Sequence, residues 1–186
     1  CLSDWSSDVC SSDLAAMVDA PTIKELVRLG GGHAHIEVLR RFAMAPPPAT
    51  QLTLISQSVE TPYSGMLPGH VAGCYAHDDI HIDLVPLARA AGARFYRDEV
   101  VGLDPEKKLV LCRDRPPVSY DLLSVDTGST PDLSVPGAAG NVVPVKPIHG
   151  FLAHWNRLRE RVLAASGTLR IGVVGAGAGG VEILLA

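Results

Sequence analysis

Leu26-Val27-Arg28-Leu29-Gly30-Gly31-Gly32-His33-Ala34-His35-Ile36-Glu37-Val38-Leu39 carries a short apolar run into three consecutive glycines and then at once into a helical pattern. A chain that must present a strand, a tight turn and a helix N-terminus to a pyrophosphate has this form. Glycine in the turn reaches backbone dihedrals closed to other residues, and its missing side chain lets phosphate oxygens approach the main chain. The helix adds unpaired N–H groups and the positive end of its dipole. The pattern returns in Ile171-Gly172-Val173-Val174-Gly175-Ala176-Gly177-Ala178-Gly179-Gly180-Val181-Glu182. Two such turns, about one small domain apart, imply two dinucleotides, a flavin and a nicotinamide nucleotide.

Between the turns the chain reads as alternating elements. Ala34 to Ala45 predicts a helix with Ile36, Leu39 and Ala43 on one face, ended by Pro46-Pro47-Pro48. Gln51 to Ser56 predicts the second strand, after a crossover long enough for a β-α-β unit. Arg28 is out of place, because a central parallel strand is normally apolar on both faces. Thr61 to Gly69 predicts a Pro/Gly-punctuated loop, and Asp83 to Ala91 a short helix that Asp83 caps and Gly92 closes. Arg94 to Leu103 and Leu109 to Arg113 are β-rich runs joined by a turn, and Leu122 to Asp126 is a further strand. A Pro/Gly-rich connector precedes an amphipathic helix over His149 to Ala165, with Phe151, Leu152, Trp155, Leu158 and Val162 along one side.

The ends read differently. Asp4 to Leu14, DWSSDVCSSDL, looks like one reading frame of a sequencing-library adaptor, which makes residues 1–16 an artefact or a tail and Met17 a natural start. Ala186 falls about two turns into a helix, so the chain reads as an N-terminal fragment of a longer protein. Of the formal charge of −4, three units sit on Asp4, Asp8 and Asp13. The near-neutral remainder does not suggest a nucleic-acid surface. No run of 18 apolar residues crosses a membrane, and no leader pattern is visible, so a cytoplasmic location is expected. Cys74 and Cys112 lie far apart and read as small buried side chains, not as a redox dithiol. His77 and His81 stand at i,i+4 and His33 and His35 flank the first turn, but no carboxylate or cysteine set completes a metal site, and none is expected.

Three ordered anchors carry a resemblance: the turn at Gly30 to Gly32, the segment Tyr120-Asp121-Leu122-Leu123-Ser124-Val125-Asp126-Thr127-Gly128-Ser129-Thr130-Pro131, and the turn at Gly175 to Gly180. The sequence resembles the two-dinucleotide-binding-domain flavoproteins of the pyridine nucleotide-disulfide oxidoreductase superfamily, in its NADH dehydrogenase-like branch without the dithiol. GGGHAH followed by TPYSGMLPG further resembles flavoproteins associated with selenide, water dikinase. The resemblance implies an α/β fold. Residues 17–147 would form the N-terminal part of a Rossmann-like FAD-binding domain with a β-meander insert. Residues 148–186 would supply a connecting helix and the start of a second, NAD(P)-binding Rossmann-like domain.

It also implies roles. Gly30, Gly31 and Gly32, with His33, Ala34 and His35 opening the helix, would hold the FAD pyrophosphate; the plainer reading is a generic tight turn. Thr127 and Gly128 would lie beside the flavin, with an ordinary strand-end turn as the plainer reading, and Val100 would offer backbone to the adenine. Pro62 and Tyr63 would line the flavin pocket or simply make a turn. Gly175, Gly177 and Gly180 would cradle the NAD(P)H pyrophosphate. Two departures stand out: His35 occupies the third glycine position, and Ser56 replaces the usual acidic ribose partner, with Glu60 a substitute from the loop. Asp126 stands where the family has alanine. The implied activity is an FAD-dependent NAD(P)H oxidoreductase serving a small-molecule acceptor, a quinone or a selenium or sulfur species. The alternatives are a ferredoxin- or sulfide:quinone-reductase-like enzyme and a non-catalytic flavin module attached to a selenophosphate-making enzyme.

Overall fold

The computed structural model describes residues 23–186, so the expectations for residues 1–16 and for Met17 lie outside the described residues. The apolar run before the first glycines forms β1 (Lys24–Leu29), and the glycines lead into α1 (His33–Met44). The chain returns as β2 (Thr50–Ser56), parallel to β1 with Leu29 opposite Ile55. The buried stripe of α1 runs through His35 and Leu39, with Ile36 and Phe42 partly covered, whereas Ala43 is exposed.

The segment expected as a loop after β2 is more ordered than its prolines and glycines imply. β3 (Glu60–Pro62) pairs antiparallel with β4 (His81–Asp83), and between them lie two 3-10 turns and α2 (Leu67–Val71). Pro68 sits in the first turn of α2, where its missing N–H removes no helical bond. α3 (Leu84–Ala90) follows, and the Asp83 carboxylate accepts from Val85 N–H at 2.9 Å, as its sequence position promises.

The run from Arg94 to Leu103, read as one strand, divides into β5 (Arg94–Arg97) and β6 (Val100–Asp104), which belong to different sheets. Asp98 makes the division. Its N–H donates to the Ser56 carbonyl at the end of the parallel sheet, while its buried carboxylate accepts from Glu99 N–H, Asp114 N–H and Arg115 Nε. The carboxylate thus ties the chain's exit from one sheet to the segment that follows β7 of the other. β6 then pairs with β7 (Leu109–Cys112), and β7 with β8 (Val118–Ser119), as a three-stranded antiparallel meander. β9 (Leu122–Val125) returns to the parallel sheet beside β1, giving the order β5-β2-β1-β9.

Alternation along β1 and β2 assigns their two faces. Leu52 and Leu54 join Leu39 of α1 and Leu84 of α3 in one apolar cluster. Val27, Leu29 and Ile55 pack on the other face with Val110 of the meander. The domain is therefore helices, parallel sheet and meander in three layers, and for that reason its central strands are mostly apolar on both sides, Arg28 and Thr53 excepted. α4 (Ile148–Ala164) buries Ile148, Phe151 and Leu152 against Leu67 and Ile80. Trp155 packs partly against this cluster, but Val162 is exposed. Cys74 is exposed, against the sequence expectation, and Cys112 is partly covered beside the core.

The second glycine pattern forms α5 (Ala178–Leu185), but the strand expected at residues 171–174 does not form. A parallel strand needs a neighbour to exchange hydrogen bonds with, and none lies beside it among the described residues. No helix among the described residues is long and apolar enough to cross a membrane.

Candidate functional site

The strand order turns back at β1: the chain runs outward through β2 to β5 and then returns to β9 on the opposite side. In open α/β sheets, ligands bind beyond the carboxyl ends of the strands at such a reversal. A cleft of about 720 Å³ opens there. It is lined by the Gly30–Gly32 turn, Ser56 at the end of β2, Pro62 of β3, Val100 of β6, and the Thr127-Gly128 turn after β9. The residues expected at a first dinucleotide site thus meet in one concavity from separate parts of the chain. Glu60, Lys146 and His149 complete its polar rim. Tyr63 does not line it; its exposed ring stands edge-on to His33 with centroids 4.7 Å apart.

The first turn is held from both sides. Gly30 N–H donates to Ile55 O at 2.8 Å, Gly32 N–H to Asp126 O at 3.1 Å, and Asp126 N–H to Leu29 O at 2.8 Å. Gly30 has φ +87, and a Cβ there would overlap the carbonyl of Asp126. Only glycine meets both conditions. A Cβ on Gly32 would overlap the Asp126 carboxylate itself, because that carboxylate lies directly over the turn. Its Oδ2 accepts from Ala34 N–H at 3.0 Å and from His35 N–H at 3.3 Å. Gly32, the N-cap residue of α1, has no side chain to do so, and Asp126 caps the helix from another strand.

His35, at the third glycine position, is buried and does not line the cleft; nor does Ala34. The His35 ring binds Gly30 O through Nδ1 at 2.7 Å and Ser124 Oγ through Nε2 at 2.9 Å. It joins turn, helix and β9, where a third glycine would let helix and strand touch directly. Burial pushes its pKa below the ordinary histidine value, with Arg28 adding to the effect and Gly30 O and Asp126 opposing it. Arg28 lies beside it, 4% exposed, on the helix-facing side of β1. Its Nη1 donates to His35 O at 3.2 Å, its guanidinium lies 5.1 Å from the Phe42 ring centroid, and its Nε has no partner. The residue that looked misplaced in the sequence belongs to a polar group under the turn.

The second turn stands apart from this cleft. Gly175 has φ +107, Gly177 is the N-cap of α5, and a Cβ on Gly180 would overlap the Gly175 carbonyl. Gly175 and Gly180 therefore answer to local requirements, whereas Gly177, at φ −72 with nothing within 4 Å of an added Cβ, does not. The histidine pair at 77 and 81 stacks face to face with centroids 3.8 Å apart, so its ring nitrogens do not converge on one point. Among the described residues no three His, Cys, Asp or Glu side chains come together as a metal set. Neither Cys74 nor Cys112 lines the cleft.

Sequence reasoning noticed Asp126 as a departure but not as a cap, and did not see Ser124 as a partner of His35. Both act across about ninety residues, so no local pattern signals them. The signal that was available is an aspartate at a strand end in a chain whose glycine-opened helix has no acidic residue in its first turn.

The α/β architecture built on a parallel sheet is shared with several solved oxidoreductases. The chain is similar to the water-forming NADH oxidase of Lactobacillus brevis, with TM-score 0.64 and 22% identity over 86% of this chain and 36% of that one. It is similar also to the sulfide:quinone oxidoreductase of Aquifex aeolicus, with TM-score 0.61 and 22% identity over 76% of this chain and 33% of the other. The ferredoxin reductase for the CYP199A2 system of Rhodopseudomonas palustris gives TM-score 0.62 and 20% identity over 86% and 39%. In sequence, the chain is 28% identical over 167 residues to the NADH dehydrogenase-like protein YutJ of Bacillus subtilis, covering 87% of this chain and 44% of that protein. It therefore spans less than half the length of that relative. No family model matches it.

Proposed function

We propose that this chain is the FAD-binding part, with the opening of the NAD(P)H-binding part, of an FAD-dependent NAD(P)H oxidoreductase. One observation carries the reading. A cleft of about 720 Å³ is built at the strand reversal around a glycine turn whose Gly30, at φ +87, has no room for a Cβ against the Asp126 backbone. Nothing in the packing of an ordinary turn demands such a cavity, whereas a dinucleotide needs both the room and the close backbone approach. A bound flavin would supply the hydride-accepting chemistry between nicotinamide and acceptor.

The chain's own residues would bind and orient. The α1 N-terminus and Gly30–Gly32 would hold the diphosphate, the Ser56 hydroxyl and Glu60 the adenosine ribose, and Val100 backbone the adenine. Thr127, Gly128 and Pro62 would flank the ring, and Gly175, Gly177 and Gly180 would hold the second dinucleotide. The division into residues 17–147 and 148–186 follows from the same reading. The phrases GGGHAH and TPYSGMLPG support a finer proposal: association with selenide, water dikinase in the cytoplasm, with a selenium, sulfur or quinone acceptor.

The test is direct. The full-length protein should purify with flavin, and NADH or NADPH should bleach it in the absence of oxygen. A full-length protein that takes up no flavin, or whose flavin neither nicotinamide reduces, would sink the proposal.

A further inference from the structure

Asp126 sits where the proposed ligand should be most welcome. A diphosphate at a glycine turn is held by the free N–H groups of the first helical turn. Here Ala34 N–H and His35 N–H both point to Asp126 Oδ2, at 3.0 and 3.3 Å, and the carboxylate covers Gly32. Asp126 also lines the cleft. Its backbone is fixed, with N–H bonded to Leu29 O and its own carbonyl accepting from Gly32 N–H. Only its side chain can move away without unmaking the sheet.

We infer that Asp126 is an internal competitor for the diphosphate: its carboxylate closes the α1 cradle, and a dinucleotide binds by displacing it. This deepens the dinucleotide reading above and rests on it. The physical ground is that one set of amides cannot serve two anions. A carboxylate left within about 4 Å of a phosphate also repels it. Displacement is feasible because the α1 amides exchange one anionic acceptor for another, and the freed carboxylate can turn into an open cleft. The cap stabilises the ligand-free turn, and the protein gives up part of its dinucleotide affinity in return.

This predicts opposite signs for stability and affinity, which a merely structural aspartate would not give. Asp126→Asn keeps an oxygen that can accept from α1 but removes the charge, and Asp126→Ala removes both. Stripped wild-type protein and both variants would be titrated with ADP, inorganic pyrophosphate, FAD and riboflavin, and their unfolding midpoints measured without ligand. Both variants should bind ADP, pyrophosphate and FAD roughly tenfold more tightly or better, while riboflavin, which has no phosphate, binds unchanged. The ligand-free midpoint should fall in Asp126→Ala and much less in Asp126→Asn.

Equal or weaker diphosphate binding by the folded Asp126→Asn protein overturns the inference while leaving the dinucleotide site standing. If no form of the folded protein binds any diphosphate, the site reading fails and the inference falls with it. Equal gains for riboflavin and for ADP would show that the carboxylate only narrows the cleft, which also overturns it.

Discussion

Leu29 and Val174 hold the same place in their motifs, one residue before the first glycine, yet Leu29 is 3% exposed and Val174 88%. Both turns have a first glycine at positive φ and a glycine N-cap opening a helix. Everything local therefore agrees. What differs is the company. Leu29 pairs with Ile55 on one side and Val125 on the other, whereas Val174 belongs to no sheet. A glycine motif specifies a bend and a helix start by backbone geometry, but a strand is a contract between segments and forms only where partners are supplied.

The largest expected effect tests that contrast at the first glycine. Gly30→Val must adopt φ +87 with a branched side chain and overlap the Asp126 carbonyl, at a cost of about 4 kcal/mol or more. Gly175→Ala, also at positive φ but with nothing within 4 Å of the added carbon, should cost only about 1–2 kcal/mol. Denaturant unfolding would check both. Similar losses would mean that the second turn is as tightly integrated as the first.

The next pair moves one residue back. Leu29→Ala removes buried contacts to the meander core and should lose about 2–4 kcal/mol, whereas Val174→Ala should stay within about 0.5 kcal/mol. A large loss for Val174→Ala, measured the same way, would show that residues 171–174 are covered in solution.

How much of this was legible in the sequence follows the same division. β1, α1, β2, the β6–β7 turn and the capped helix at Asp83 could be read because alternation, helical period, turn composition and capping are local signals; β8, two residues long, carried none. The division at Asp98 could not be read, because β propensity is continuous through it and the interrupting bonds reach Ser56, Asp114 and Arg115. The segment after β2 misled because Pro68 and Gly69 are turn residues that also fit the start of a short helix. At the candidate site the glycines, Ser56, Pro62, Val100, Thr127 and Gly128 were expected together, and the cleft joins them. The polar group of Arg28, His35, Ser124 and Asp126 was opaque, since Ser124 and Asp126 reach it from about ninety residues away.

That polar group yields a smaller prediction with a defined sign. Burial holds the His35 pKa below its unfolded value, so at mildly acidic pH the unfolded chain binds the proton that the folded one refuses. Stability from this residue is complete above about pH 6.5 and falls as pH drops from there towards the folded-state pKa, by at most about 1.4 kcal/mol per pH unit. His35→Gln should be less stable near neutral pH but should lose this segment of the pH dependence. An unchanged slope between about pH 7 and about pH 5 would place the proton elsewhere.

The smallest effect concerns Arg28, which the second motif has no counterpart for. Its charge is buried, its Nε lacks a partner, and burial lowers its pKa without any carboxylate bonded to it. The single bond it donates goes to His35 O, and its stem and guanidinium cover Phe42. Arg28→Met preserves most of that cover, sheds the desolvated charge and forfeits one hydrogen bond. The result should lie between neutral and about 1 kcal/mol more stable. A loss of about 2 kcal/mol or more in denaturant unfolding would mean that an anion compensates the guanidinium, and Asp126, whose carboxylate accepts from His35 N–H, is the group to test. In that event Arg28→Met and Asp126→Asn would be strongly non-additive. The first turn would then owe its rigidity to charge as well as to its strand partners.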